Sequence, residues 1–585
     1  MDRTAWIVVT LCVIGLVTWT WWSGKHQPPR PATPALSPTP PPLATASASA
    51  APLTSASPAA AAAASSTPAG EATPAFAEKA ETLRNDDVEL HLTNRGGGIR
   101  EAALLNHIGQ GDQRVVININ SKDQLPIGAM IEQPNAPKLD EFALSREPDG
   151  SVKCERSADN VIVRKKFFFP PSKEKKDNFL AEMDVDLVNG GAQPYTNPGY
   201  FVALGSAAPI HPKDYSYYTR LVWCIDGKAK GVDVNWFGGG GGLFGIGQHA
   251  AQPFYQQDLA NADWAAVSDQ FFTTLIAPLT VKANSVWGRR FDISPEQKMY
   301  GLVGALRMPG FQLPPGQTYS ARFEIWAGPK LYHRLARLDK DYGGHGEFDH
   351  NEAEIMDFGI FKIVSQFLLN FLNWLHGFIG SYGWSILALT AIIKIVLWPL
   401  QDKANRSMRR MSLLNPKIQE LREKYKDDPT RMNQEVMKLY KDYGINPVGG
   451  CLPMMIQIPI FFGLFKMLGQ AVELRNAHFL WVHDLSQPDT VGYLPVLGWP
   501  INIIPLCMAA TQIWLMAMTP KTGDATQRRV MMFTPLIFLF ICYNFAAALA
   551  LYYTTQNLFS IVQFYYNKRQ PLPTLEKRLP AGKRK

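Results

Sequence analysis

Apolar and polar residues along this chain alternate first with a strand period and then with a helical one. Val88, Leu90 and Leu92 alternate with polar residues before the turn sequence NRGGG. Ala181, Met183, Val185 and Leu187 repeat the pattern, as do Tyr319, Ala321, Phe323 and Ile325. Turns rich in Pro and Gly separate these runs. A period of two puts successive side chains on opposite faces of a strand, so residues 80–345 are expected to form a mainly β sandwich domain.

From 357 the period becomes helical. Lys362, Gln366, Asn370, Asn373 and Gly377 share one face over 357–378, and Phe361, Val364, Leu368, Leu372 and Leu375 share the other. An amphipathic helix directly before an apolar run is expected to lie in a membrane interface. Spans are expected near 381–400, 447–468, 493–517, 530–547 and 548–566. As one helix the last two would reach about 55 Å, against a hydrocarbon core of about 30 Å, so the chain should fold back near YNFAAA at 543–548. A sixth run, 5–22, ends in Trp19, Trp21 and Trp22, an interfacial belt. Its long apolar core, with no small-x-small motif after it, favours an uncleaved anchor at 1–23 over a cleaved signal peptide. The expected fold class is an α-helical polytopic membrane protein of six spans, a five-helix core at 381–566 among them, with a mainly β sandwich domain outside the cytoplasm.

Composition and charge sharpen this picture. Charged residues make up 18% of the chain and hydrophobic ones 46%, which is low in charge for a soluble protein. Residues 24–79 are mostly Pro, Ala, Ser and Thr, too poor in large apolar side chains to offset chain entropy, and read as a tether. The net charge of +8 is concentrated: 401–446 holds 11 Lys/Arg against 7 Asp/Glu, and the tail 567–585 holds 7 against Glu576 alone. The first segment reads as a charged helical hairpin turning at DDP (427–429), with a thin apolar stripe of Met411, Leu414, Ile418, Leu421 and Tyr425. Six spans put both segments and both termini on one side, and their basic excess makes that side cytoplasmic. Contact with phosphate, as on a ribosome, is the second reading of such charge. Cys12, Cys451, Cys507 and Cys542 lie in apolar runs, whereas Cys154 and Cys224 lie in the β domain, where pairing stays open.

Candidate chemistry is sparse. The Gly240–Gly245 match to G-x-G-x-x-G lacks a surrounding β-α-β unit, and HGEFDHNEAE at 345–354 lacks the H-E-x-x-H spacing. No metal, cofactor or enzymatic activity is expected. Lys394 stands apart, because it interrupts SILALTAIIKIVLWPL, and an ammonium at the bilayer centre costs about 2.5–3.5 kcal/mol. With Trp398 and Pro399 near the cytoplasmic end, it sits about 8 Å inside. Snorkelling is the bland reading. Thr390 lies one turn away, Gln457 interrupts the third span, and Thr554, Gln556 and Asn557, beside Tyr552 and Tyr553, interrupt the last. Polar groups from three spans around one charge predict a wet cavity; taken singly, each is an interhelical hydrogen bond.

These parts, in this order, resemble the YidC membrane protein insertases of the type with a large periplasmic domain. The likeness covers almost the whole chain. It rests on DFGIFKIVSQFLLNFLNWLHGFIGSYGWSI, NPVGGCLPMMIQIPIFFGLF and LALYYTTQNLFSIVQ, and on LTNRGGGIREAAL and WAAVSDQFF in the β domain. The resemblance implies a bacterial inner-membrane, multi-pass protein with both termini cytoplasmic and the β domain in the periplasm. It implies insertion and folding of nascent membrane proteins, alone or with the Sec translocon, through a hydrophilic groove open to cytoplasm and lipid. Lys394 matches the groove's positive residue and Thr390 a groove threonine. Ile458, Pro459 and Phe461 match a substrate-contacting stretch, and Tyr553 a groove tyrosine. Gln457, Gln556 and Asn557 join them as the polar interruptions named above. The hairpin is implied to be needed for activity, and the hairpin and basic tail to meet the ribosome; sequence-specific nucleic-acid binding is not implied. Members of this type usually carry Arg where this chain has Lys394. Arg stays protonated under burial, whereas a buried Lys can lose its proton. The alternatives are a secondary transporter using the intramembrane lysine, and a β-domain receptor with a passive anchor.

Overall fold

The computed structural model of the 585-residue chain describes residues 76–109, 116–135, 137–172, 176–239, 249–296, 298–338, 351–445, 452–495, 498–518, 525–571 and 577. The anchor at 1–23, the tether to residue 75, the glycines at 240–245 and most of 345–354 lie outside these residues.

The β domain is built from antiparallel sheets. One has nine strands in the order 228–233, 220–225, 264–268, 272–278, 318–329, 180–189, 161–168, 152–158, 143–146. A second has five, in the order 255–262, 283–294, 299–308, 200–207, 130–131, and a third has four, over 80–119. The alternating residues meet across strands: Ile325 faces Ala181, Phe323 faces Met183, Ala321 faces Val185 and Tyr319 faces Leu187. They feed a core that includes Trp264, Trp326, Phe272 and Phe323. The two larger sheets pack face to face, and Gly304 marks a close approach. A Cβ there would lie 2.8 Å from Val267 and 3.0 Å from Leu221 on the opposite sheet. Gly205, in the left-handed region at φ 79° where the strand bulges, pairs with Gly304. Lys165 is fully buried and donates to the carbonyls of Gly96 (2.7 Å) and Gly128 (3.2 Å), with Phe142 against its ammonium. Burial lowers this lysine to about 8.

Cys154 and Cys224 are buried free thiols and do not pair. Their strands lie six positions apart in the nine-stranded sheet, about 29 Å at sheet spacing, whereas a disulfide needs Cα atoms within about 7 Å.

Residues 351–361 seal Ile355, Met356 and Phe358 into the core and lead into helix α1, Lys362–Ile379. Leu368, Leu372 and Leu375 of α1 pack inward, not toward lipid, because Gly463 lets the backbones approach. A Cβ on Gly463 would meet Val364 at 3.0 Å, and Ser365 Oγ donates to the Gly463 carbonyl at 3.0 Å. The exposed face carries Ile363, Phe367, Trp374 and Phe378. This helix is therefore apolar on two faces, with the polar stripe between them.

Helix α2, Tyr382–Leu413, runs unbroken through Pro399 past the expected end at 400. It is the one helix among the described residues long and apolar enough to span a membrane by itself. Pro416 starts a new helix, α3, Asn415–Lys424, followed by α4, Pro429–Asp442, capped by Asp428. The hairpin buries a small core after all: Leu414, Ile418 and Ile445, with Met411, Val436 and Leu439 against it. Then come α5, Leu452–Leu468; α6, Ile503–Met518; α7, Ala525–Cys542; and α8, Ala547–Lys568. Among the described residues, length and apolarity alone mark one of the five spans expected there, α2. Residues expected at the start of the fourth span form a β hairpin, Thr490–Tyr493 with Pro500–Asn502, where Gly498 turns at φ 63°. That leaves α6 with 16 residues, about 24 Å. The last apolar stretch breaks between Cys542 and Ala547.

Candidate functional site

Three helices, α2, α5 and α8, bring polar side chains into one seam. Helix α8 carries Tyr552, Gln556, Ser560 and Gln563 at steps of four, four and three residues, which keeps them on one face. Lys394 of α2 is 6% exposed, and its Nζ donates to Ser560 Oγ at 2.9 Å. Ser560 Oγ donates in turn to the Gln556 carbonyl at 2.9 Å. Gln457 of α5 donates from Nε2 to Gln556 Oε1 at 2.9 Å and lies 3.2 Å from the Tyr552 hydroxyl. Just under one turn beyond Ser560, Gln563 Nε2 donates to the Trp398 carbonyl at 3.4 Å. Arg409 then donates to the Asn567 carbonyl at 2.5 Å, tying the far end of α2 to α8.

An ammonium has three donors. Among the described residues Lys394 meets one hydroxyl and no carboxylate in ion-pair reach. The seam therefore holds a buried lysine with no counter-anion among the described residues, its polar contact filled by protein.

The other expected residues divide. Thr390 is buried beside the seam but donates back to its own helix, at the Ile386 carbonyl, 2.7 Å. Tyr553 turns from the seam into an aromatic cluster, with ring centroids 5.6 Å from Phe461 and 4.9 Å from Phe538 of α7. Ile458 lies on the exposed side of α5, and Pro459 is half-buried in that helix. Asn557 is one residue, or about 100°, around α8 from Gln556. It faces α6 instead, donating to the Met508 carbonyl (3.3 Å) and Thr511 Oγ1 (3.2 Å). Sequence reasoning missed Ser560 and Thr511. The signal for Ser560 was present in its four-residue step from Gln556.

At the other end of α5 a second charged cluster joins the β domain to the helices. Asp357 accepts from Arg220 of the β domain at 2.9 Å and lies 3.9 Å from Lys466 of α5. Burial opposes its charge, but these two cations hold the carboxyl below its usual value. Gln270 donates to the Gly469 carbonyl (2.9 Å), and the Arg475 guanidinium lies over Phe271 and Phe272.

Comparison with known proteins covers both halves. Residues 81–371 match the family described as the YidC periplasmic domain, and residues 374–573 match the 60Kd inner membrane protein family. A membrane protein insertase YidC of Nitratidesulfovibrio vulgaris (strain DSM 19637 / Miyazaki F) is 32% identical over 407 residues, 67% of this chain and 67% of that one. Its namesake in Nitratidesulfovibrio vulgaris (strain DP4) is 29% identical over 82% of this chain and 85% of the relative. That of Syntrophobacter fumaroxidans is 36% identical, but the match spans 57% of its length. A crystal structure of an active YidC insertase is similar over 85% of this chain, at 18% identity and a TM-score of 0.35.

Proposed function

The chain belongs to the YidC family of inner-membrane proteins with a periplasmic domain, and from that premise we propose that it inserts and folds nascent membrane proteins. In this reading it is a multi-pass protein with both termini cytoplasmic, acting alone or with the Sec translocon. The hairpin at 401–446 and the tail at 567–585 meet the ribosome through their basic residues.

The observation that carries the reading is Lys394, a buried lysine bonded to a neutral hydroxyl. A carboxylate forms a shorter and stronger charge-assisted bond to an ammonium than a hydroxyl does. An acidic or polar segment of a substrate displaces Ser560 from Lys394, and the seam between α2, α5 and α8 opens into a groove that is wet toward the cytoplasm. The shortness of α6, about 24 Å against a core of about 30 Å, supports a locally thinned bilayer, which shortens the apolar path of the crossing segment. The substrate's apolar helix then leaves along Ile458, Phe461 and the aromatic cluster at Tyr553 into lipid. Burial of its apolar surface drives this step at about 25 cal/mol per Å². No bond is made or broken. Nothing in the comparisons supports the secondary-transporter alternative.

The test is complementation of cells depleted of their own insertase. Lys394→Arg is expected to support growth and Lys394→Glu to fail with substrates that carry acidic crossing segments. Normal insertion of those substrates by Lys394→Glu sinks the electrostatic account.

A further inference from the structure

The segment between α5 and α6 ends in the hairpin Thr490–Tyr493/Pro500–Asn502, whose outer surface has no protein partner among the described residues. Val491 is 50% exposed, Tyr493 61%, Leu494 42% and Trp499 67%. The neighbouring turn exposes Leu480 and Trp481 as well. No Asp, Glu, Lys, Arg or His lies between 490 and 502.

The polar groups of the hairpin point the other way. Thr490 Oγ1 donates to Asn502 Oδ1 (2.8 Å), and Asn502 Nδ2 donates to the Tyr543 carbonyl (2.7 Å). Trp481 Nε1 donates to Asp489 Oδ2 at 3.3 Å, so its indole N–H is held by protein while its ring is half exposed. The root is fixed to the β domain, where Lys213 donates to Thr490 Oγ1 (3.2 Å) and Gln487 to Asp214 Oδ1 (2.9 Å). At Asn502 the hairpin passes directly into α6, on which the apolar side chains Leu506, Ile513 and Trp514 are exposed.

An uncharged apolar patch of this kind, left in water, is an interaction or aggregation site. Tyr and Trp with polar atoms tied inward and rings outward suit the boundary between headgroups and acyl chains. Continuity with α6 places the hairpin at the end of a membrane helix. We propose that the paired strands Thr490–Tyr493 and Pro500–Asn502, with Trp499, Leu480 and Trp481, are a lipid anchor that sets these aromatic rings into the leaflet below the β domain. Lacking charge, it reads the acyl boundary and not headgroup charge. This concerns where the hairpin sits, and stands apart from what Lys394 does with substrate.

The test uses the full chain, with its native cysteines replaced, in phosphatidylcholine/phosphatidylglycerol vesicles with and without acyl-brominated lipid. Single cysteines at Trp499→Cys and Tyr493→Cys carry an environment-sensitive fluorophore. Ile395→Cys on the outer face of α2 is the lipid control, and Lys138→Cys on the β domain the water control. Quenching at 493 and 499 is expected to match that at 395, about twofold above that at 138, as for side chains at the interfacial boundary. It should not change with the fraction of anionic lipid. Quenching at both positions no greater than at 138, while 395 is quenched normally, overturns the proposal. So does label-to-label energy transfer that replaces lipid quenching and grows with protein density, because a second copy then covers the patch.

Discussion

Ser560 governs what Lys394 can hold. Its hydroxyl is the one described partner of the Lys394 ammonium, and removing it leaves a buried donor unmet at a cost of about 1–3 kcal/mol. Ser560→Ala should therefore lower the thermal midpoint while leaving Lys394 freer for substrate, so insertion per folded molecule should hold or rise. Crosslinking yield between the α2 seam and an arrested substrate measures this directly. Lys165 gives an independent check at the same scale. Burial lowers it to about 8, below its unfolded value, so the unfolded chain binds more protons above that pH. Stability should then rise between pH 8 and 9, by about 1 kcal/mol more than in Lys165→Met. Above pH 9 the Cys154 thiol, which burial pushes up to about 11, opposes the gain. Denaturant melts of both proteins across that range decide it. The sequence made Lys394, Gln457 and Gln556 legible because a polar group in an apolar helix needs a partner. It hid Ser560, since a serine can bond back to its own helix carbonyl and so raises no alarm. It grouped Asn557 with Gln556, although one residue is enough to turn a side chain onto another helix.

At the scale of elements, periodicity showed which residues face inward but not against what. The β alternation mapped onto paired strands because a sheet leaves only two faces to choose between. In helix α1 the leucines have two apolar destinations, lipid and α5, which periodicity does not separate, and the bare backbone of Gly463 lets them pack inward. Gly463→Val should push α1 from α5 and cost about 1–3 kcal/mol as an overpacked contact. An unchanged melting temperature for that variant would remove Gly463 as the determinant. The fourth span was read too long because YLPVLGWP looks as apolar as a helix. Its two prolines and Gly498 break the helix, and 490–493 pairs with 500–502 as a hairpin instead.

Across the molecule, the β domain is docked to the helices by a charged clasp, with Arg220 and Lys466 sharing Asp357. The carboxyl is held low in the folded protein, so its contribution is full above the ordinary aspartate value near 3.9 and fades as pH falls through the lower folded value. Docking should be intact at neutral pH and loosen below about pH 4. Asp357→Asn should reproduce that loosening at neutral pH. Hydrogen exchange at 469–476, corrected for intrinsic rates, reports it, and equal protection in the variant and the parent contradicts the clasp.

The most direct measurement is a charge swap in purified vesicles. A substrate with an acidic crossing segment, and its counterpart with that segment made basic, are each offered to the parent protein and to Lys394→Glu. The account predicts that Lys394→Glu loses the acidic substrate and recovers the basic one, so that the coupling between the two changes is favourable. Equal losses for both substrates, or none for either, would contradict a role for the Lys394 charge in insertion.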